Sequence, residues 1–339
     1  MLNVALLGLR GHQGIILDGI LQMKDVRLVA VADDDPALLD AVRKHPAVTG
    51  EVRAYADWRK LLDSEDVQIA GVTGTDDVRA GVACECARRG LHMMTEKPLS
   101  IDLAGLARVR EAVAKAGVRL TTMISMRYAP PFIAIRNAIA EGLVGEVCLM
   151  SAQKSYRLGG DCSGRERPEW MKSRRTFAGI IPFVGIHALD YMQWTSGREY
   201  VEVMAYQKNV GHPEIREMDD SASVLLKLDN GGSASAHMDY CRPAAAPTHG
   251  DDRLRIAGNR GVVEMINEQP PVLITHEGQR TLALSKEENH FVDFVRAIKS
   301  GGNCLAPEAD CYRITEIVLK ARESAETGKP VRLDDGMKG

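Results

Sequence analysis

The sequence predicts an α/β protein with an N-terminal Rossmann-type, doubly wound parallel sheet and a C-terminal α/β domain with an open-faced, largely antiparallel sheet. Up to about residue 124, short apolar runs alternate with helical stretches, which is typical of a parallel sheet. After that point, strand-like runs carry apolar residues at every second position, which suits a sheet with one packed and one open face. We therefore expect one domain at 1–124 and another at 125–339.

Composition and charge narrow the class of protein. The chain has 339 residues, of which 45% are hydrophobic, enough for two packed cores. Its 43 basic and 46 acidic residues are well mixed, so no basic stripe indicates nucleic acid. The first apolar run is too short for a signal peptide, and no stretch approaches the roughly 18 apolar residues of a membrane span. We expect a cytoplasmic protein with a small-molecule partner.

Cysteine usage argues against a disulfide framework or a zinc site. The seven cysteines are odd in number and scattered, without a Cys-x-x-Cys pair. Asp161, Cys162, His237 and His249 could be drawn into a metal site, but their separations fit no known ligand pattern. We predict no metal.

The first predicted strand, residues 2–7, enters a glycine-containing turn that a helical stretch follows. Backbone N–H groups at such a helix N-terminus favour an anion, so we predict that the turn binds the pyrophosphate of a dinucleotide. Arg10 stands where a second glycine is usual. Either the loop is one residue longer, or the arginine side chain joins the phosphate contacts. The candidate residues are Gly8, Arg10, Gly11, His12, Gln13 and Gly14.

A second strand, predicted at 26–32, ends in three aspartates. Asp33 lies 19 residues beyond Gly14, near the spacing at which a carboxylate reaches the adenosine ribose. A ribose 2′-phosphate would meet the carboxylates of Asp33 and Asp34 with no adjacent arginine or lysine, so NAD is favoured over NADP. The alternative is that Asp34 and Asp35 only cap the next helix, which begins around Pro36.

Further strands are predicted at 67–72, 91–95 and 118–124, with helices at 78–89 and 102–116. Thr73 and Thr75 follow the first of these strands, and Glu96 and Lys97 follow the second; all four are candidate cofactor residues. A buried lysine beside a cationic ring can lose its proton near neutral pH, because desolvation and like charge both disfavour the ammonium form. Lys97 is therefore an acid/base candidate, unless it lies on an ordinary surface turn.

A second group of candidates lies beyond residue 125. A helix that starts near Pro182 would place His187, Asp190, Tyr191 and Trp194 on one face. His187 could exchange a proton with a substrate hydroxyl, with Asp190 orienting it, or it could be an ordinary core histidine. Three further side chains could bind hydroxyls or a carboxylate, or could equally be surface or ion-pair residues: Arg127, Tyr156 and Arg174.

Taken together, these motifs resemble the Gfo/Idh/MocA oxidoreductase family almost from end to end. The signals are the glycine turn, GLHMMTEKPLS around Lys97, SMRYAPPF, GIHALDYMQW and the closing TGKPV. The resemblance implies a Rossmann fold followed by an open-faced α/β domain whose sheet often mediates oligomerisation, hence a homodimer or homotetramer. It also implies that Lys97 lies by the nicotinamide and the substrate, and that the bond before Pro98 is often cis.

One position departs from the family pattern. Dehydrogenases of the family commonly show D-x-G-x-H; His187 matches the histidine, but Phe183 occupies the aspartate position. Either Lys97 and His187 transfer the proton unaided, or the ring packs against an apolar part of the substrate, or ordinary dehydrogenation has been lost.

The expected function is NAD-dependent hydride transfer between nicotinamide and a sugar, cyclic polyol or related hydroxylated compound. Lys97 would take the hydroxyl proton, and His187 would position or assist it. Two alternatives stay open. One is a glycoside hydrolase that retains NAD and recycles it through oxidation, elimination and reduction, and the other is a sensor that binds the dinucleotide without catalysis.

Overall fold

The computed structural model describes residues 1–157, 168–215 and 217–333, so Asp161 and Cys162 lie outside the described residues. Contacts between residues divide the chain into two compact units. Unit 1 comprises Met1–Ser125 and Glu288–Thr315. Unit 2 comprises the described residues of Met126–Glu287 and Glu316–Gly339.

Unit 1 contains a six-stranded sheet in the order β3-β2-β1-β4-β5-β6. Every neighbouring pair is parallel, and the order reverses between β1 and β4, so the predicted doubly wound sheet is confirmed. In such a sheet, ligands bind beyond the carboxyl ends of the strands at the reversal. The strands are β1 (Leu2–Leu7), β2 (Val26–Ala32), β3 (Arg53–Tyr55), β4 (Ile69–Val72), β5 (His92–Thr95) and β6 (Leu120–Thr122).

Five helices connect these strands, and their ends follow from local chemistry. The Asp35 carboxylate accepts a hydrogen bond from the Ala37 N–H and caps the second helix, in which Pro36 takes the first position. Asp35, and not Asp34, is therefore the cap. Gly117 ends the fifth helix in the left-handed conformation, at φ 65°. The helices are α1 (Gln13–Leu21), α2 (Pro36–Val42), α3 (Trp58–Ser64), α4 (Asp76–Arg88) and α5 (Leu103–Ala116).

The helix His290–Ser300 belongs to unit 1, although the predicted boundary assigned it to the second domain. Phe291 and Phe294 lie in the same buried cluster as Ile16 of α1. The Asn289 side chain caps this helix and also donates to the Ile15 carbonyl at 3.0 Å. The apolar periodicity shows which helix face is buried, but it does not show which surface covers that face. This is why the sequence boundary differs from the structure here.

Unit 2 contains a nine-stranded sheet in the order β14-β13-β12-β11-β7-β10-β9-β8-β15. Only the pairing of β10 with β7 is parallel among its described pairs, so the prediction of a largely antiparallel sheet is confirmed. The strands are β7 (Val147–Tyr156), β8 (Tyr200–Lys208), β9 (Ser221–Leu228), β10 (Ser233–Asp239), β11 (Gly250–Gly258), β12 (Gly261–Ile266), β13 (Val272–Thr275), β14 (Gly278–Thr281) and β15 (Val331–Arg332).

One face of this second sheet is covered by helices, and the other exposes apolar side chains. On the covered face, the Tyr191 hydroxyl donates to the carbonyls of Gln153 and Arg253, at 3.0 and 3.3 Å, and thereby fixes its helix over β7 and β11. On the opposite face Leu149, Tyr206 and Leu225 are exposed. The remaining helices are α6 (Pro130–Ala140), α7 (Ile186–Ser196), α8 (His290–Ser300) and α9 (Glu308–Thr327). No helix among the described residues is both long and apolar enough to cross a membrane.

Candidate active site

Two glycines of the turn between β1 and α1 are required by close contacts. Gly8 has a φ of 95°, and a Cβ placed there would lie 2.4 Å from the backbone nitrogen of Gly74. A Cβ on Gly11 would lie 2.3 Å from Oε1 of Glu96. By contrast, a Cβ on Gly14 would meet no atom within 4 Å. The protein's own packing therefore requires glycine at positions 8 and 11 but not at position 14.

The side chain of Arg10 reaches the carboxylates at the end of β2. Its Nη2 lies 2.8 Å from Oδ1 of Asp33 and also contacts Asp34. Oδ2 of Asp33 accepts from the Leu9 N–H at 2.8 Å, so this carboxylate also ties the turn to β2. The expectation that no arginine or lysine lies beside these aspartates is wrong. Since β1 and β2 are neighbours in the sheet, the residues after them meet in space although they are distant in sequence.

The threonines after β4 differ in their roles. The Thr73 hydroxyl donates to the Gly8 carbonyl, and the Thr73 carbonyl accepts from the Arg10 N–H at 2.9 Å, so this fully buried residue holds the glycine turn. The Thr75 hydroxyl donates to Oδ1 of Asp77 at 2.6 Å, at the start of α4. Thr73 thus stabilises the glycine turn through buried hydrogen bonds, whereas Thr75 is partly exposed and could contact a ligand.

Glu96 links the end of β5 to the glycine turn. Its Oε1 accepts from the backbone N–H of His12 and lies 2.7 Å from Nδ1 of the same histidine. Burial by itself would raise the pKa of Glu96, but the charges of His12, Lys97 and Arg79 and the hydrogen bonding of His12 hold that pKa well below its usual range. An ionised carboxylate therefore lies at the N-terminus of α1.

The chemistry of this turn fits the pyrophosphate of a dinucleotide. The Gly11 N–H donates to Oε1 of Gln13 at 3.1 Å, and the His12 N–H donates to Glu96, so both donors already hold side-chain oxygen acceptors. Backbone donors at a helix N-terminus bind anions, and here the Glu96 carboxylate and the Gln13 amide oxygen take the places that phosphate oxygens would take. The donor set of this turn therefore suits the pyrophosphate of NAD.

Lys97 follows Glu96 and is buried, with 1% of its surface exposed. The bond between Lys97 and Pro98 is cis. Nη1 of the buried Arg79 donates to the Pro98 carbonyl at 2.5 Å, and its Nη2 lies 2.9 Å from Oδ1 of Asp76. Sequence reasoning missed Arg79, although an acidic residue three positions before an arginine at a helix start is a recognisable pairing signal.

In unit 2, His187 lies in the first turn of α7 and is buried. A wider helical turn, Ile181–Gly185, precedes α7, so helical backbone does begin near Pro182 as predicted. Gly185 lets this turn approach the sheet, because a Cβ there would lie 2.7 Å from Sδ of Met238. Asp190, one turn further along, is paired with Arg127 at 2.6 Å. The ion-pair alternative for Arg127 is the one that the structure shows.

Phe183 packs into a cluster of aromatic rings. Its ring centroid lies 5.0 Å from that of Phe177 and 6.3 Å from that of Trp170. These contacts account for an aromatic ring where the family commonly has an aspartate, because a carboxylate would be poorly solvated among such rings. Arg174 also has acidic partners: it pairs with Asp219 and, at 3.3 Å, with Glu326.

Tyr156 lies beside an ion pair that sequence reasoning missed. Its ring stacks on His249 with 5.0 Å between centroids, and Nζ of Lys154 lies 5.0 Å from the centre of the tyrosine ring. Nζ of Lys154 is 2.6 Å from Oδ2 of Asp252. Burial lowers the pKa of Lys154, but Tyr156 and Asp252 outweigh it and raise that pKa, while burial raises the pKa of Asp252 despite the nearby lysine. The signal was available, since both residues occupy covered-face positions in alternating strands.

The remaining candidates form no metal site in the part of the chain that the structure describes. No group of three histidine, cysteine, aspartate or glutamate side chains there could hold a metal ion. Nδ1 of His237 instead lies 3.0 Å from the Ser223 hydroxyl, and His249 stacks on Tyr156.

Known proteins match the chain over both units. Residues 2–123 match the model of the oxidoreductase family with an NAD-binding Rossmann fold, and residues 132–264 match the GFO/IDH/MocA C-terminal domain. The myo-inositol 2-dehydrogenase of Thermotoga maritima is 24% identical over 98% of this chain and 99% of its own length. The inositol 2-dehydrogenase of Rhizobium meliloti is 29% identical over 73% of this chain and 70% of its own.

Solved structures agree with these matches. A structure from Thermotoga maritima, described as that of an oxidoreductase, is 33% identical and has a TM-score of 0.91. The match covers 98% of this chain and 100% of that one. Two family models that together span most of the sequence and a structure of this similarity leave one assignment: the chain belongs to the Gfo/Idh/MocA family of NAD-dependent oxidoreductases, and unit 1 is its NAD-binding Rossmann domain.

Proposed function

We propose that this oxidoreductase transfers a hydride between NAD and a hydroxyl-bearing carbon of a sugar, cyclic polyol or related compound. The observation that carries the proposal is the buried Lys97 directly after β5, in the sheet whose glycine turn suits the dinucleotide. Lys97 can exchange a proton with an alcohol when both burial and the positive charge of a bound nicotinamide ring disfavour its ammonium form. NAD, when bound, supplies the hydride acceptor.

The protein's own residues would hold the alcohol and move its proton. Lys97 accepts the hydroxyl proton during oxidation and returns it during reduction. Arg79 supports this role, because its hydrogen bond to the Pro98 carbonyl fixes the backbone next to the lysine. For unit 2 we propose that His187 donates to or accepts from a substrate hydroxyl, and that Arg127 positions α7 through Asp190.

The substrate class is proposed from the relatives and from the ion pairs of unit 2. Two relatives are named as inositol 2-dehydrogenases, which act on a cyclic polyol. Arg127 and Arg174, which could have bound a substrate carboxylate, are both paired with carboxylates of the protein. This pairing favours an uncharged hydroxylated substrate over a sugar acid.

The test is a dehydrogenase screen across polyols, aldoses and anhydrosugars with both NAD and NADP. We expect NADH to accumulate, as followed by its absorbance, with at least one uncharged polyol or sugar. A protein that reduces neither cofactor with any of these compounds would contradict the proposal. Product formation without added cofactor and without a net absorbance change would instead indicate a glycoside hydrolase that recycles its NAD.

The ligand-sensor alternative is an outcome that the same screen distinguishes, and it concerns Phe183. The aromatic cluster of Phe183, Phe177 and Trp170 contains no acid at the position where dehydrogenases of the family commonly carry one. A sugar that raises the melting temperature of the protein with NAD present, yet never reduces NAD, would indicate sensing.

We also propose that the protein is a homodimer or homotetramer that buries the open face of the second sheet. Leu149, Tyr206 and Leu225 expose apolar surface on that face. Sedimentation equilibrium should show an assembly of two or four chains, and Leu225→Glu should dissociate it. A wild-type protein that sediments as one chain would contradict this proposal.

A further inference from the structure

A buried ion pair crosses two neighbouring strands on the covered face of the second sheet. Lys154 of β7 and Asp252 of β11 are directly opposite in the antiparallel register, so both side chains leave the same face. Their charged atoms are 2.6 Å apart, and the side chains are 4% and 5% exposed. Removing two charges from water is unfavourable and offsets much of their attraction, so such a pair is weak evidence for stability by itself.

The pair leaves hydrogen-bonding capacity unused. Oδ1 of Asp252 is buried and has no hydrogen-bond partner among the described residues. At the other end, the Lys154 ammonium interacts with Asp252 and Tyr156, and a further neighbour is Sδ of Met126 at 3.9 Å. A thioether is a weak acceptor, so the N–H donor on that side is only weakly satisfied. Leaving a buried oxygen unsatisfied destabilises the protein, and a ligand with a hydroxyl donor would satisfy it.

The pair lies next to the helix that carries His187. Tyr191, one turn after His187 on α7, donates its hydroxyl to the carbonyls of Gln153 and Arg253. These two residues are the chain neighbours of the ion pair. The helix of the proposed acid/base histidine is therefore fixed to the sheet where the pair lies.

We propose that Lys154 and Asp252 determine substrate specificity by binding two adjacent hydroxyl groups of an uncharged polyol or sugar. Lys154 donates to one hydroxyl oxygen, and Oδ1 of Asp252 accepts from the neighbouring hydroxyl. Dehydrogenases of the family commonly carry an aspartate at the position that Phe183 occupies here. Asp252 would thus supply a carboxylate to the substrate from a different strand. This inference rests on the proposed function, and it assigns the pair to recognition and not to proton transfer.

The chemistry of the pair excludes acidic substrates. The positive charge of Lys154 and the negative charge of Asp252 cancel. The pair therefore has no net positive charge that would attract a substrate carboxylate or phosphate. A carboxylate placed against Oδ1 of Asp252 would meet a like charge without a proton to share, whereas a hydroxyl supplies the missing donor.

The experiment compares wild type with Asp252→Asn and with the double variant Lys154→Met, Asp252→Leu. The probes are myo-inositol with the deoxyinositols, and D-glucose with 2-deoxy- and 3-deoxy-D-glucose. For the wild type we expect kcat/KM to fall about tenfold or more with at least one deoxy compound, because a site built to bind a hydroxyl rejects the analogue without it. In D252N we expect KM to rise about tenfold with kcat nearly unchanged, and the penalty for the deoxy compound to become smaller, because an uncharged amide binds a hydroxyl more weakly than a carboxylate does.

The double variant Lys154→Met, Asp252→Leu provides the test if the Asp252→Asn protein does not fold. Replacing both members of a buried pair by apolar side chains of similar size is often neutral for stability. We expect this variant to retain the wild-type melting temperature and NAD binding while its KM rises. The matched control is Arg255→Gln, which removes an exposed ion pair from the same strand and should leave all these parameters unchanged.

The outcomes separate the two proposals. A wild type that reduces NAD with none of the probes would overturn the proposed function, and this inference with it. A wild type that oxidises a probe, together with variants that keep its KM and its discrimination against the deoxy compound, would overturn only the role of Lys154 and Asp252.

Discussion

Arg127 and Asp190 form a buried, two-pronged ion pair. Nη2 of the arginine lies 2.6 Å from Oδ1 of the aspartate, and Nε lies 3.0 Å from Oδ2. The side chains are 4% and 1% exposed. The guanidinium carbon also lies 5.7 Å from the centre of the Trp194 ring, so the pair holds α7, and with it His187, in one orientation.

Asp190→Asn should therefore lower the free energy of unfolding by about 3–5 kcal/mol, because it removes the negative charge that Arg127 binds with both prongs at a buried site. Urea unfolding followed by circular dichroism measures this change. Asp40→Asn removes the exposed pair with Arg43 and should cost at most about 1 kcal/mol. Equal unfolding midpoints for D190N and the wild type would show that the pair does not hold α7.

Gly8→Ala and Gly14→Ala should behave differently although both lie in the glycine turn. The Gly8 variant combines a positive φ with a Cβ 2.4 Å from a backbone nitrogen, so it should lose NAD binding and about 1–2 kcal/mol or more of stability. The Gly14 variant has open space and should keep the fold, gaining up to about 1 kcal/mol from helix propensity. Calorimetric NAD titration and thermal melting of both variants check this, and equal behaviour would argue against the close approach at Gly8.

Lys97→Met should lower turnover by about a hundredfold to ten-thousandfold while NAD binding survives, because the side chain is proposed to move the hydroxyl proton. Stopped-flow reduction of NAD gives the rate, and calorimetry gives the affinity. The exposed Lys115 provides the control, since Lys115→Met should change neither quantity. Full activity in the Lys97 variant would refute the assignment.

The carboxylates beside Arg10 should decide between the two cofactors. The wild type should bind NAD at least about tenfold more tightly than NADP, equivalent to about 1.4 kcal/mol. The double variant Asp33→Asn, Asp34→Asn should narrow that ratio, because it removes two negative charges and releases Arg10 for a 2′-phosphate. Titration calorimetry with both cofactors measures the ratio. Tighter binding of NADP by the wild type would defeat this prediction.

The free energy of unfolding should fall at acid pH, because protonation of Glu96 removes a stabilising charge. Its pKa in the folded protein lies below the ordinary value of 4.5, so its contribution is complete above that pH and is lost as the pH falls below it. Glu96→Gln should therefore be less stable than the wild type at pH 7, and the difference should shrink below about pH 4.5. Urea unfolding across this pH range tests the point, with the exposed Glu111→Gln as control. A difference that is constant with pH would show that the Glu96 charge does not contribute.

The sequence predicted the elements best where the signal was local. The apolar run of β1, the glycine turn and the helix that follows depend on residues within one short stretch. The cap of α2 was local too, and of the two candidates Asp34 and Asp35 the structure shows Asp35 as the cap. The placement of helix α8 was not local, because Phe291 packs in a cluster with Ile16, far away in the chain.

The same division holds for the candidate site. Lys97, Glu96 and His187 were proposed from short motifs, since each motif is a run of residues that are adjacent in sequence. The partners of these and other candidates were missed: Arg79 beside Pro98, Arg10 beside Asp33, and Asp252 beside Lys154. Each of these contacts joins residues from different elements. Alternation assigns Lys154 and Asp252 to the covered face, but it does not show that their two strands are neighbours.

By itself the sequence determined the fold class, the family and the short motifs, because backbone propensity and side-chain alternation act over a few residues at a time. Only the tertiary structure decided which charges are paired. Ion pairs such as Arg127 with Asp190 and Lys154 with Asp252 depend on how strands and helices are brought together, and burial makes such pairing obligatory because an isolated charge is too costly away from water.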